Sequence, residues 1–164
     1  MIVPDTNILG TFARVNALHL LSDLFGKEAM GIVPAVYAEL VAGLREGRNF
    51  LQAVVRQVDQ GRLKLFALSA DEVIQRQNLP TSLADGEAES ITVCLARSGA
   101  FLTNDRRARN FARKEGIEVF DLSEVLRSLW KLGICSKQKI RQLVADIENK
   151  EGMVIKHKER IFAK

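Results

Sequence analysis

Apolar positions along the chain fall into short blocks separated by stretches of helical period. Residues 2–5 open with a brief apolar strand. Phe12, Val15, Leu18, Leu21 and Phe25 then recur three and four apart, which predicts an amphipathic helix that Gly26 ends. A second strand at 31–33 runs into Pro34, which suits the first turn of a helix because its missing N–H would be unpaired there anyway. Residues 49–60 predict a further helix closed by Gly61, and Leu63, Leu65 and Ala67 a third strand. Ser69 and Glu72 have capping-box spacing. Asp85 offers a cap for a helix of small and apolar residues ending near Gly99. The strand AFLTND, a basic helix over 106–114, the strand IEVF and a helix capped by Asp121 and Glu124 follow. From Ser136 onward there are two helical stretches with no strand between them.

This alternation predicts an α/β fold: a three-layer α/β/α sandwich with a central parallel sheet, plus C-terminal helices. A single domain would span 1–135, with 136–164 as a helical appendage packed on it. At 164 residues the chain is long enough to bury roughly two thirds of its unfolded surface. The apolar positions Leu143, Val144, Ile147, Val154 and Ile155 of the appendage either pack on their own domain or offer a surface for a homodimer.

Composition narrows the function classes. With 47% apolar and 27% charged residues and no repeats or low-complexity tract, the chain reads as an ordinary globular protein. Uncharged runs fall short of a membrane span and the N-terminus lacks a signal-peptide core, so a cytoplasmic location without membrane contact is expected. Cys94 and Cys135 lack CxxC spacing and read as buried thiols. The net charge of +4 permits a polyanionic partner without demanding one. Its distribution is more telling, with basic clusters at 106–114 and again at Lys156, His157, Lys158 and Arg160, each of which reads equally well as a solvated face.

In folds of this kind ligands bind at the carboxyl ends of the strands. Asp5 and Asp105 each follow a predicted strand, Glu39 sits in the helix after the second strand, and Glu87 and Glu89 occupy the first turns of the helix after Asp85. Taken singly, each acid reads as a cap or a surface residue. Gathered in one cleft, they would repel one another by several kcal/mol unless a cation lay among them. Magnesium or manganese, which take oxygen ligands and keep several waters, would meet that need and assist phosphodiester cleavage without a histidine. The two histidines, His19 and His157, read as structural or solvated, and neither a Ser-His-Asp set nor a nucleotide-binding glycine loop is present.

The order of these segments resembles the PIN domain family. DTN at 5–7 looks like its first motif, Glu39 in VYAEL matches its helix-borne acid, GEAESI at 86–91 resembles the third acidic segment, and TNDRRAR at 103–109 the fourth. The likeness is carried by motifs over about residues 1–120 and is looser beyond. It is nearest a prokaryotic subgroup with GEAE where VapC-type toxins have aspartate. The resemblance implies a Mg2+- or Mn2+-dependent endoribonuclease, with room for an antitoxin partner. Its catalytic carboxylates would be Asp5, Glu39, Glu87 and Asp105, and metal would be held by Asp5, Glu87, Asp105 and, as a second-ranked candidate, Glu89. Asn7, Thr103 and Asn104 would support them, and Arg106, Arg109 and Arg113, three and four apart on a helix, would hold RNA phosphates. Two departures stand out: Pro4 removes a backbone donor at the end of the first strand, and glutamate stands in the third segment. A PIN-like module that binds nucleic acid without cutting it is the alternative. A phosphoryl-transfer domain is disfavoured because position 7, where such domains need a second acid, is Asn.

Overall fold

The computed structural model describes residues 1–163. Strands β1 (Ile2–Pro4), β4 (Ala100–Leu102) and β5 (Glu118–Phe120) form a parallel sheet in the order β1-β4-β5, with Val3 opposite Phe101 and Phe101 opposite Val119. Strands β2 (Gly31–Ile32) and β3 (Lys64–Leu65) pair in parallel, and a single bridge between Ile2 and Met30 joins this pair to β1. The strands therefore line up as β3-β2-β1-β4-β5, flanked by helices in an α/β/α sandwich as the alternation predicts.

Pro4 explains why the junction is so slight. The Ile2 amide donates to Ala29 at 2.8 Å on the β2 side. Backbone donors alternate sides along a strand, so the next donor facing β2 belongs to residue 4, where proline has none. Pro4 instead sits opposite Leu102 of β4, and the Asp5 amide continues that ladder by donating to Leu102 O at 2.9 Å.

The helix expected through Phe25 is two. Helix α1 (Thr6–Arg14) stops and α2 (Leu18–Phe25) begins after a turn in which Asn16 takes φ 55°. The Ala17 amide donates to Phe12 O and the Asn16 amide to Ala13 O, a Schellman end with asparagine in the left-handed position. The apolar spacing stays in register across this break and so conceals it. Helix α3 (Pro34–Arg45) starts with Pro34 as expected, and α4 (Gln52–Asp59) follows a 3-10 turn at Asn49–Leu51.

Helix α5 (Ala70–Gln77) carries the predicted capping box: Ser69 Oγ accepts from the Glu72 amide, and Glu72 Oε2 from the Ser69 amide. Helix α6 (Asp85–Arg97) differs. Asp85 is its first residue rather than its cap, and its exposed carboxylate pairs with Arg76; Glu87 reaches back to the Ala84 amide instead. Arg97 donates to Glu72 through Nε and Nη2, each at 2.7 Å, tying α6 to α5 and holding the Glu72 carboxyl down at about 2.

Helices α7 (Arg106–Lys114), α8 (Leu122–Lys131), α9 (Lys137–Glu151) and α10 (Glu159–Phe162) complete the chain. Leu143, Val144, Ile147 and Ile155 are buried in the same core as Phe12, Phe101 and Leu126, and of the five appendage positions only Val154 is exposed. Trp130 Nε1 donates to Ile161 O at 2.6 Å, and Thr11 to Glu151 at 2.7 Å, which fastens the last helices to α8 and α1. Cys94 is buried, its thiol pushed up to about 12 by burial, whereas Cys135 is half-buried; both are free.

Candidate functional site

Strand order places the site. The chain runs from β1 through β2 to β3 in one direction and from β4 to β5 in the other, so the reversal lies between β1 and β4, the position where open α/β sheets bind ligands. Asp5 and Asp105 follow those two strands.

Asp5 is 5% exposed. Its Oδ1 accepts from the Ile8 amide at 2.7 Å, which caps α1, and its Oδ2 accepts from the Thr103 hydroxyl at 2.6 Å. Thr103 is itself buried, and its hydroxyl oxygen accepts from the Asp105 amide at 3.1 Å, so one side chain ties the ends of β1 and β4 together. Asp105 caps α7 through the Ala108 amide at 2.8 Å. Burial pushes the Asp5 carboxyl up to about 6, against the pull of the Ile8 amide and the Thr103 hydroxyl; the charges of Glu87 and Glu39 raise it further.

Glu39 reaches the cleft from α3, where its Oε2 accepts from the Thr6 hydroxyl. Helix α6 comes very near it at Gly86: a Cβ there would lie 2.7 Å from Glu39 Oε1 and 3.0 Å from Val36 Cγ2. Glycine therefore lets the start of α6 close on α3. One residue on, Glu87 Oε2 accepts from the Ala84 amide at 3.0 Å. Burial raises the Glu87 carboxyl, the Ala84 amide lowers it, the charges of Asp105 and Glu39 raise it and Arg107 lowers it. Glu87 thus lies within the fields of both Asp105 and Glu39.

Asp5, Thr6, Asn7, Val36, Glu39, Gly86 and Glu87, with Arg48 at the margin, line a cleft of about 310 Å³. On one side it adjoins a hollow of about 600 Å³ bordered by Glu87, Asp105, Arg106 and Arg107. On the other, Thr6, Asn7, Arg14, Arg48, Asn104 and Asp105 border a hollow of about 350 Å³. Glu89 points elsewhere: its Oε2 accepts from the Ala35 amide at 2.8 Å and caps the start of α3, because residues two apart on a helix face nearly opposite ways. Arg109 pairs with Asp121 at 2.9 Å and Arg113 with Glu124 at 3.0 Å, while Arg106 borders the hollow beside Asp105.

Among the described residues, no three acidic, histidine or cysteine side chains stand close enough to enclose an ion. The donor set nonetheless suits a hard divalent cation. It consists of carboxylate oxygens in one mutual field, one of them buried and held near pH 6, and magnesium commonly takes only one or two carboxylates and keeps water elsewhere. Glu39, Glu87 and Asp105 each leave one oxygen without a protein donor among the described residues.

Arg48, Arg107 and Gly86 were not singled out from the sequence. Arg48 lies in a turn after Gly47, at φ 89°, where periodicity carries no signal. Arg107 is visible only as a member of the basic cluster. Gly86, first in the GEAE run, could have been found by asking why a helix should begin with a glycine.

Carboxylates converging at the switch point of a parallel α/β/α sandwich define a fold of the nuclease type. The chain belongs to the PIN domain family, whose model matches residues 1–161. Members of that family are in general nucleases acting on nucleic acid, typically with divalent metals. No curated protein matches the chain significantly. No described helix is long and apolar enough to cross a membrane.

Proposed function

We propose that this chain is a magnesium- or manganese-dependent endoribonuclease whose working carboxylates are Asp5, Glu39, Glu87 and Asp105. The observation that carries the reading is the buried Asp5 carboxyl, held at about 6 in the field of Glu39 and Glu87 at the end of β1. A buried acid so placed is costly to the fold and is best accounted for by an ion that it serves.

Asp5, Glu87 and Asp105 would hold the ion, with Glu39 completing the negative wall. The bound ion would supply an activated water and neutralise charge on the phosphodiester. Thr103 fixes the Asp5 carboxylate and the start of α7 relative to one another, and Thr6 does the same for Glu39. Below about pH 6 a cation would have to displace the Asp5 proton, so ion binding and proton release would be linked there. Arg48, which pairs with Glu46 at 2.7 Å, and Arg107, which donates to Ser82 O at 3.2 Å, border the acids and would meet substrate phosphates.

RNA incubated with the protein should be cut in the presence of Mg2+ or Mn2+ and spared in EDTA. Asp5→Asn and Asp105→Asn should abolish cutting while circular dichroism stays unchanged; cleavage by these variants at the parent rate would refute the reading. Because every one of these acids also has a local hydrogen-bond partner, a binding module that cuts nothing is the second reading. Titration calorimetry separates the two: no heat with Mg2+ or Mn2+, together with salt-dependent RNA binding, favours the module. Membership of the PIN family, which includes VapC-type toxins, extends the proposal to a cytoplasmic toxin, restrained by an antitoxin and working as a homodimer; co-purification and sedimentation test those parts.

A further inference from the structure

The basic tail singled out in the sequence is a fixed wall. Glu148 of α9 anchors it, with one carboxylate oxygen accepting from the Ile155 amide at 2.8 Å and the other from Lys158 Nζ at 3.0 Å. Ile155 and Ile161 are buried on either side of the turn at His157, which takes φ 56°. Residues 153–160 thereby face α7 and the start of α8 across a groove of about 560 Å³.

The charge in this groove is lopsided. Arg109 and Arg113 on one wall are matched by Asp121 and Glu124. Lys156 and Arg160 on the other wall are exposed and have no acidic partner among the described residues. Unmatched cations fixed along one wall of a groove attract a polyanion into it. At its inner end the groove shares Asn104, Leu122 and Met153 with the 350 Å³ hollow, which in turn shares Thr6, Asn7 and Arg48 with the acidic cleft. A continuous path therefore leads from the tail to the acidic cleft.

We propose that this groove, closed by the C-terminal segment 153–160, holds the backbone of a single RNA strand on one side of the bond to be cut, with Lys156 and Arg160 contacting phosphates. The inference rests on the ribonuclease reading for its occupant. Both hollows have the volume of small-ligand sites, which accept one strand and not a duplex. Phe50, which borders the path, is covered by Arg14 at 4.2 Å, so the contacts are chiefly to phosphate and carry little sequence preference.

The test is binding in EDTA, where no cutting interferes. A labelled single-stranded RNA is titrated across a range of salt with the parent chain and with the double variant Lys156→Ala/Arg160→Ala. Each phosphate contact on a single strand contributes about 0.7 to the slope of log affinity against log salt, so the variant's slope should be shallower by about 1.4. The duplex of the same sequence should bind more weakly than the strand. An unchanged slope, or a duplex that binds as tightly, overturns the inference. Thermal melting checks the fold of the variant, and Lys156→Glu alone, which changes the charge of the wall by the same two units and should likewise weaken binding, serves if the double variant is unstable. Cleavage in Mg2+ keeps the two proposals apart. An unchanged slope in a chain that still cuts RNA removes the groove alone, whereas a reduced slope in a chain that cuts nothing removes the ribonuclease and leaves the groove.

Discussion

Replacing Asp5 by asparagine should stabilise the metal-free protein. The folded pKa of about 6 lies above the ordinary 3.8, so the folded state holds the Asp5 proton more tightly than the unfolded chain does. The stability lost by ionising a group in this position is nil below the unfolded value, grows between about pH 4 and 6, and is complete above the folded value. A shift of this size corresponds to about 3 kcal/mol. Asparagine keeps the size of the side chain, and its Oδ1 still accepts from the Ile8 amide. Its amide nitrogen now faces the Thr103 hydroxyl, which must turn from donor to acceptor, so the gain is at most that figure. For a chain of this length each kcal/mol moves Tm by about 2–4 °C, so Asp5→Asn should melt up to about 6–12 °C higher in EDTA at pH 8. Near pH 4, where the parent carboxyl is protonated in both states, the gap should close. Adding Mg2+ should raise the parent's Tm by mass action and leave the variant unmoved. A variant that melts no higher than the parent at pH 8, or a gap that persists undiminished at pH 4, refutes the account of Asp5.

Four further outcomes are expected. Gly86→Ala drives a methyl group into Glu39 Oε1, which lies at the end of a flexible side chain; Tm should fall by no more than a few degrees, at about 1 kcal/mol, while cleavage drops tenfold or more, and kinetics with melting on one sample checks both. Thr103→Val removes the Asp5 donor and leaves the Asp105 amide unpaired, at a cost of about 1–3 kcal/mol by denaturant titration, and should move the acid limb of the pH–rate profile upward. Mn2+ affinity measured by calorimetry should weaken progressively below about pH 6 as Asp5 takes up its proton. Arg97→Ala strips Glu72 of its two-point partner and should cost about 2 kcal/mol at neutral pH; because the Glu72 carboxyl is held down at about 2, the difference from the parent should shrink as pH falls from about 4.5 toward 2.

What could be read from the sequence was the chemistry with local causes. The Ser69–Glu72 and Asp121–Glu124 boxes appear where spacing places them, because each is completed within one helical turn. The break at Asn16 was hidden, since an apolar rhythm does not register one residue in a left-handed conformation. Asp5 and Asp105 read from the sequence as either caps or site residues, and in the structure both cap a helix. Each uses Oδ1 to start its helix; Asp5 lines the cleft, and Asp105 the two hollows beside it. The partners of Arg109 and Arg113 were beyond reach, because β5 delivers Asp121 and Glu124 beside α7 only once the sheet has formed. Glu87 and Glu89 were separable in principle, as two helix positions about 200° apart cannot serve one cleft.

The missing donor at Pro4 reaches beyond strand pairing. It divides the sheet into two leaves stitched by one bridge, and the acids are drawn from both: Asp5 and Asp105 follow strands of the larger leaf, while Glu39 rides on the helix that leaves β2 in the smaller. The cleft therefore straddles the weakest join in the sheet. A cation held by Asp5, Glu87 and Asp105 would also draw in the charge of Glu39 from across that line, so loading the site would pull the two halves of the scaffold together.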